Sequence, residues 1–269
     1  MFSQHDVMLA FGLTLFAGLS TGIGSLIAFL GKKDNPSFLT LALGFSAGVM
    51  VYVSMIEIFP KARAALEAPL GFKGAYVFTT FSFFMGIALI ALIDKFVPEC
   101  DNPHEIRSYS NEKEKETGHS ALHRTGIFVA LAIAVHNFPE GLATFMSALR
   151  DPVLGVSIAV AIALHNIPEG VSVSVPIYNA TGSKKKAFVY SFLSGLAEPV
   201  GALAGYTILR QFMTDIVFGV IFASVAGIMV YISVDELLPT AEEYGKHHYC
   251  IMGFIAGMAL MAVSLLLFA

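Results

Sequence analysis

Long apolar stretches constrain this chain more than any other feature of its sequence. A helix needs about 20 residues to cross the hydrocarbon core of a membrane, and eight stretches have that length. Five carry no charged residue, at 7–30, 38–56, 74–93, 216–234 and 249–269. Three others carry one glutamate each (Glu140, Glu169 and Glu198), at 125–149, 152–183 and 187–209. The runs are continuous rather than alternating, so they favour transmembrane helices over barrel strands.

We therefore predict an all-α integral membrane protein with eight transmembrane helices, here called spans one to eight in chain order. The composition agrees, because 56% of the residues are hydrophobic and 13% are charged, against about a quarter charged in soluble domains. The clearly polar stretch, 94–124, is expected to be a cytoplasmic loop between spans three and four. Residues 1–269 then form a single transmembrane domain.

Lysine and arginine counts predict the orientation of the chain. The loops on one side carry eleven of these residues and the loops on the other side carry five. Because positive loops stay in the cytoplasm, the richer side should be cytoplasmic and both termini should face outward. Cys100 and Cys250 both fall on the cytoplasmic side, where a disulfide is not expected.

Two internal repeats are visible in the sequence. Residues 47–60, AGVMVYVSMIEIFP, match 226–239, AGIMVYISVDELLP, at eight of fourteen positions. The motif HNFPEG at 136–141 returns as HNIPEG at 165–170. Span two therefore corresponds to span seven, and span four to span five. The predicted orientations of spans two and seven are opposite, which indicates inverted repeats relating spans 1–3 to spans 6–8, a common plan in transporters.

The repeated motif carries metal-binding chemistry. On a helix, His136 and Glu140 are four residues apart and share a face, as do His165 and Glu169. Imidazole, carboxylate and amide oxygen are ligands for divalent ions such as Zn²⁺ and Fe²⁺. The prolines Pro139 and Pro168 also free a backbone carbonyl, which a membrane tolerates where it is buried in protein or lines a cavity. The other interpretation is that these side chains only bond helices together.

Three buried glutamates on consecutive spans need compensating charge. A central acidic residue costs a few kcal/mol even on the lower insertion scales, about 2.5–3.5 kcal/mol. One divalent ion would leave the three carboxylates with a charge of −1, and two ions would leave +1. Either balance is better than three ionised groups alone, so we predict that Glu140, Glu169 and Glu198 neutralise a metal ion.

Several other residues leave alternatives open. Glu57, Asp235 and Glu236 could attract cations at the two mouths of a path or could be plain helix ends. Met50 could offer a thioether to a soft ion or could pack in the core. The loop histidines, His104, His119 and His123, could bind metal weakly or belong to a solvated linker.

At this point the sequence resembles a known family. HNFPEG in span four, HNIPEG in span five, the glutamate of GLAEPVGA in span six and the polar third loop are similar to the ZIP family of divalent-metal transporters, and most of all to its bacterial zinc-uptake branch. The resemblance implies eight helices in a 3+2+3 arrangement and a binuclear site at the membrane midplane. It assigns the first ion to His136, Glu140, His165 and Glu169. It assigns the second ion to Asn137, Asn166 and Glu198, with Glu140 and Glu169 bridging. His165 and Asn166 stand where some members have an acid or a glutamine, which makes the second position less anionic.

The predicted function is uptake of Zn²⁺, and of Fe²⁺, Mn²⁺, Co²⁺ and Cd²⁺ as further substrates, across the bacterial cytoplasmic membrane. The expected partners are the cations and the lipid bilayer, with a homodimer possible in principle and with no nucleic acid and no cofactor beyond the transported metal. Nucleotide motifs such as GxxxxGK[ST] do not occur, which argues against direct ATP drive. Two alternatives remain: an intramembrane metal hydrolase, which would use a metal-activated water, and efflux in place of influx.

Overall fold

The structure is a computed structural model that describes residues 3–30, 36–95, 137–209, 214–243 and 247–268, together with Ala134 and Phe212. These residues form helices and contain no strand. Within them, six helical segments are long and apolar enough to cross a membrane. The predicted all-α membrane class is thus confirmed for the described part of the chain.

The helices are named in chain order. The α-helices are α1 (Gln4–Leu30), α2 (Pro36–Val53), α3 (Phe59–Lys95), α4 (137–150), α5 (Pro152–Thr181), α6 (Lys184–Gly195), α7 (Ala197–Leu209), α8 (Asp215–Ile232), α9 (Leu238–Glu243) and α10 (His247–Phe268). Two π-helices join them, π1 (Ser54–Ile58) between α2 and α3, and π2 (Ser233–Leu237) between α8 and α9.

One of the six segments contains two predicted spans. Helical structure continues over the 54 residues from Thr40 to Ile93, more than twice the length needed to cross the hydrocarbon core. The backbone leaves the helical region at Gly71, with φ 68° and ψ 170°, a conformation that glycine tolerates. Spans two and three lie on either side of this break. Span four is described mainly by α4, because most of residues 125–136 lie outside the described part.

The two π-helices occur at equivalent places in the 47–60 and 226–239 repeat, each just before a proline. Pro60 and Pro239 have no N–H, so a regular α-helix could not continue through them with all its bonds. The chain inserts one wider turn instead, in which Phe59 donates to the carbonyl of Ser54 and Leu238 donates to that of Ser233. Such wider turns often occur at functional sites.

The distribution of polarity is that of a protein in lipid. Large apolar side chains are exposed on the outer helices, including Phe81 and Phe84 on α3 and Leu266 on α10. The interior combines an apolar cluster, which includes Met50 and Phe222, with many fully buried polar groups. A soluble protein would not leave so many apolar side chains on its surface.

Close backbone contacts join α2 to α10 and α3 to α8. A side chain at Gly48 would overlap the carbonyl of Phe254, and one at Gly257 would overlap that of Phe45. The same pattern joins α3 to α8, where Gly227 faces the carbonyl of Phe83 and Gly86 faces that of Ser224. Small residues of this kind let membrane helices approach closely.

A tight hairpin joins α4 to α5. Asp151 caps α5 by accepting bonds from the N–H groups of Val153 and Leu154, and Pro152 begins the helix. Next to the cap, a nitrogen of Arg150 lies 2.7 Å from a carboxylate oxygen of Asp215, the first residue of α8. The hairpin therefore holds α4 and α5 antiparallel, with the two HNxPEG motifs facing each other.

Candidate metal centre

Six of the seven predicted site residues lie in the described part of the chain, and all six are fully buried. They are Asn137 and Glu140 on α4, His165, Asn166 and Glu169 on α5, and Glu198 on α7. The seventh, His136, lies outside the described residues. The structure thus places these polar side chains within the protein and away from lipid.

The two motifs contact each other directly across the α4–α5 pair. Nε2 of His165 lies 3.3 Å from Oε2 of Glu140, with both side chains fully buried. The sequence placed His136 and Glu140 on one face of a single helix, whereas this contact joins a histidine and a glutamate from different helices. An imidazole and a carboxylate that already share one space are a suitable start for a divalent-metal site.

The two asparagines are held with their amide oxygens available. The Asn166 amide nitrogen donates to the carbonyl of Ala17 at 3.0 Å and also to a carboxylate oxygen of Glu198. The Asn137 nitrogen donates to the carbonyl of Ser194 at 3.3 Å. Because each nitrogen faces acceptors, the orientation of each amide is determined by its neighbours and the oxygen points elsewhere.

Four oxygen atoms of this cluster have no hydrogen-bond partner among the described residues: Oδ1 of Asn137, Oδ1 of Asn166, Oε1 of Glu140 and Oε2 of Glu198. Buried polar atoms are nearly always bonded, so each exception requires an explanation. Amide and carboxylate oxygens are acceptors only, and a divalent cation is a partner that satisfies several of them at once. The donor set therefore fits a metal ion.

The cluster is not a ready-made cage of acidic and histidine side chains. Within the described residues, no group of three His, Cys, Asp or Glu side chains is close enough to hold a metal ion. The amide oxygens of Asn137 and Asn166 fall outside that donor class, and His136 is not described. The proposed ligand set consequently depends on mixed donors from several helices.

A missing backbone hydrogen bond in span six lies next to the third carboxylate. The sequence predicted one helix at 187–209, and helical structure runs from Lys184 to Ile208. Only Leu196, whose backbone stays in the α-helical region, separates α6 from α7. Pro199 has no N–H, so the carbonyl of Gly195 lacks a helical partner while the helix continues past it, and Glu198 lies in this turn.

Glycines bring α4 and α5 against their neighbours in two matched crossings. A side chain at Gly141 would overlap the carbonyl of Glu198, and one at Gly201 would overlap that of Phe138. On the other side, Gly170 faces the carbonyl of Thr21 and Gly24 faces that of Ile167. Gly141 and Gly170 are the last residues of the two motifs, so α7 packs on α4 as α1 packs on α5.

The sequence did not identify the groups that orient the site. The carbonyls of Ala17 and Ser194 hold the asparagines, and the Ser46 hydroxyl donates to the carbonyl of His165 at 3.3 Å. Backbone acceptors leave no sign in composition. Two signals were available in the sequence. Pro199 frees the carbonyl of Gly195, and GLSTGIGSL at 18–26 is similar to GLAEPVGAL at 195–203.

The remaining candidates lie on elements other than those that carry these six residues. Glu57 is in π1, 4.0 Å from Lys61, and Asp235 and Glu236 are in π2. Met50 is buried in the main apolar cluster. The histidines at 104, 119 and 123 and the 96–124 part of the polar loop lie outside the described residues.

Comparison with known proteins gives a consistent result. The family described as ZIP Zinc transporter matches residues 6–121 and 99–265 of the chain. A zinc transporter ZupT of Chlorobaculum parvum is 64% identical over 98% of this chain and 99% of its own length. Similar relatives, also named zinc transporter ZupT, come from Streptococcus mutans at 61% identity and Clostridium perfringens at 60%. Both matches cover 99% of this chain. They span 99% of the Streptococcus mutans protein and 98% of the Clostridium perfringens protein.

Proposed function

The chain belongs to the ZIP family of zinc transporters, and on that premise we propose that it carries Zn²⁺ across the bacterial cytoplasmic membrane into the cell. ZIP proteins are transporters and not enzymes, so the intramembrane hydrolase considered from the sequence is set aside. Its apolar helices and its relatives make it a multi-pass membrane protein.

The observation that carries the proposal is the set of four buried acceptor oxygens without a partner among the described residues, on Asn137, Asn166, Glu140 and Glu198. Intramembrane acidic residues of this kind mark ion pathways. A divalent cation both neutralises the carboxylates and supplies the missing partner. The zinc named in the relatives is such a cation.

We propose that the site holds two ions. The first would be bound by His136, Glu140, His165 and Glu169, and the second by Asn137, Asn166 and Glu198, with Glu140 and Glu169 bridging. The contact of Glu140 with His165 supports a shared first position, and that of Asn166 with Glu198 supports a shared second position. Borderline divalent ions with similar ligand preferences, Fe²⁺, Mn²⁺, Co²⁺ and Cd²⁺, are proposed as additional substrates.

The proposed architecture is eight helices in a 3+2+3 arrangement. Spans 1–3 are related to spans 6–8 by an inverted repeat, and span four is related to span five. The glycine contacts support this relation. Those between α2 and α10 match those between α8 and α3, and those between α1 and α5 match those between α7 and α4. The two π-helices at equivalent positions support it as well. Residues 1–269 form one domain, with the 94–124 loop in the cytoplasm and both termini outside. The homodimer stays a prediction.

Transport in this proposal is a ligand exchange. The ion loses hydration water and takes up carboxylate, imidazole and amide donors near the midplane, and the helices around it rearrange to expose the site to each side in turn. Because conduction requires that the ion also leaves, the site must bind without holding too tightly. Influx is the proposed direction, and the same ligands would serve efflux.

Uptake into proteoliposomes tests the proposal. With Zn²⁺ outside and a fluorescent zinc indicator inside, the wild-type chain should fill the vesicles. Glu140→Gln and Glu169→Gln keep the side-chain shape and remove the charge. Uptake should fall at least tenfold, because mutating only the hydrogen-bond partners of metal ligands already costs ~10–100-fold. Glu67→Gln, at an exposed glutamate of α3, is the matched control.

Wild-type vesicles that take up no Zn²⁺ would refute the proposed function. Active Glu140→Gln and Glu169→Gln vesicles would refute the site. In cells, deletion of the gene should lower internal zinc, and a rise would mean that the direction is efflux.

A further inference from the structure

Thr21 is a fully buried threonine of α1 whose hydroxyl has no hydrogen-bond partner among the described residues. A helical threonine usually donates to the carbonyl four residues earlier. Five others in the described helices do so: Thr14, Thr79, Thr144, Thr181 and Thr207. The carbonyl that would serve Thr21 is that of Ala17, and it already accepts the Asn166 amide at 3.0 Å and the Ser20 hydroxyl at 2.5 Å. A residue of the site and a neighbouring serine therefore share the acceptor that Thr21 would otherwise use.

The neighbours of Thr21 connect it to both motifs. Its carbonyl faces Gly170, the residue after Glu169. Its side chain lies against Gly195, which follows Ser194, whose carbonyl receives the Asn137 amide. The Thr21 hydroxyl and the Asn137 oxygen are thus two buried oxygens without described partners beside the same turn of α6. One more partnerless threonine, Thr40, lies one turn into α2 and is not part of this arrangement.

The inverted repeat gives Thr21 a counterpart. Aligning GLSTGIGSL at 18–26 with GLAEPVGAL at 195–203 pairs Thr21 with Glu198. The two residues make equivalent backbone contacts, because the Thr21 carbonyl faces Gly170 and the Glu198 carbonyl faces Gly141. Gly18 and Gly195, which the alignment also pairs, each face the carbonyl of the other. One half of the centre thus carries a carboxylate where the other half carries a hydroxyl.

We propose that the Thr21 hydroxyl is a further oxygen of the ion-binding centre, opposite Glu198, and that it influences which metal is carried. This inference rests on the proposed function. A hydroxyl supplies a hard, neutral oxygen, to the ion or to a water bound to it, without a fourth carboxylate. Four carboxylates would neutralise two divalent ions completely and would slow their release, whereas three leave a net positive complex from which an ion can depart.

The test compares Thr21→Val, which keeps the shape and removes the hydroxyl, with Thr21→Ser, which keeps the hydroxyl. Zn²⁺ and Cd²⁺ uptake are measured separately in proteoliposomes containing the full chain. Thr21→Val should raise the KM for Zn²⁺ about tenfold, the low end of the usual effect of altering groups around a metal. It should raise the KM for Cd²⁺ less, because the softer ion depends less on a hard oxygen. Thr21→Ser should restore the wild-type ratio of the two KM values.

Thr14→Val is the matched control, since Thr14 is equally buried on α1 and its hydroxyl is bonded to the carbonyl of Ala10 at 2.9 Å. It should leave the Zn²⁺-to-Cd²⁺ ratio unchanged even if it lowers stability. If Thr21→Val fails to reach the membrane, Thr21→Ala replaces it and must show the same shift in the ratio. A Thr21 variant that lacks the hydroxyl but keeps the wild-type KM values and ratio overturns the inference, whereas a wild-type chain without Zn²⁺ uptake overturns the proposed function.

Discussion

Asn166 uses one amide nitrogen for two acceptors, the carbonyl of Ala17 and the carboxylate of Glu198. Asn166→Asp removes both bonds and adds a negative charge beside Glu198. Hydrogen bonds to charged groups are worth about 1.5–3 kcal/mol, so the metal-free protein should become less stable by roughly that amount. Saturating Zn²⁺ should reduce the difference in stability between Asn166→Asp and the wild type, because the cation neutralises the added carboxylate. Melting curves of the purified protein in chelator and in Zn²⁺ measure both effects.

Asn137→Asp is the natural comparison, because the Asn137 amide donates to the carbonyl of Ser194 and no described bond joins it to a carboxylate. Without metal, Asn137→Asp should lose less stability relative to the wild type than Asn166→Asp does. Equal losses would contradict the idea that the contact of Asn166 with Glu198 is the stronger of the two.

The buried polar residues of the site were predictable, because carboxylates in apolar spans stand out against their background. The structure confirms that Glu140, Glu169 and Glu198 are buried. Their use as metal ligands stays a prediction. Thr21 was not predictable from its own letter, since a threonine in a membrane helix normally bonds to its own backbone. It becomes conspicuous only when the structure shows its buried hydroxyl without a described partner, while Asn166 and Ser20 both donate to the carbonyl of Ala17.

Among the helices, span six has its missing backbone hydrogen bond next to Glu198, a residue of the site. Pro199→Ala would restore an N–H for the carbonyl of Gly195. A proline in a helix interior costs about 3 kcal/mol relative to alanine, so thermal stability should rise. The restored bond should also tighten this turn and displace Glu198 from Asn166, so Zn²⁺ uptake should fall several-fold. Melting temperature and vesicle uptake, measured on the same preparation, are the two readouts.

Pro152→Ala provides the control for this change. Pro152 is the first residue of α5, where a missing N–H has no helical partner to lose, so neither quantity should move much. If Pro199→Ala gained stability but kept full uptake, the missing hydrogen bond would be unnecessary for transport.

Hydropathy predicts where helices cross the membrane but not how their backbones depart from the α-helical form. The segment that begins at Phe59 after π1 was expected as a loop because it carries Lys61 and Arg63, yet it is helical as far as Gly71. The π-helices were likewise not predicted. Both repeats contain a proline at this place, but the form of the irregularity depends on packing that the sequence does not display.

At the scale of the whole molecule, the repeats explain why the centre uses paired residues that are not identical. Gly48 and Gly227, which the sequence repeat pairs, both contact backbone carbonyls of a neighbouring helix, α10 and α3 respectively. At the centre the proposed relation pairs Glu198 with Thr21. The backbone contacts at these positions are thus matched, which suits the proposed opening to two sides, while the charges of the paired side chains differ. We infer that the repeats provide the shape and that substitutions between them provide the selectivity.

The proposed inverted repeat of three spans around a central pair also predicts the topology, since eight spans would place both termini on one side of the membrane. Ser3→Cys, just before α1, should react in intact cells with a thiol reagent that cannot cross the membrane. The native Cys100, in the predicted cytoplasmic loop, should react only after the membrane is permeabilised, and Cys250 should stay protected because it is buried. Labelling of Cys100 in intact cells, with Ser3→Cys protected, would reverse the orientation. Labelling of both from outside would be incompatible with three crossings between them.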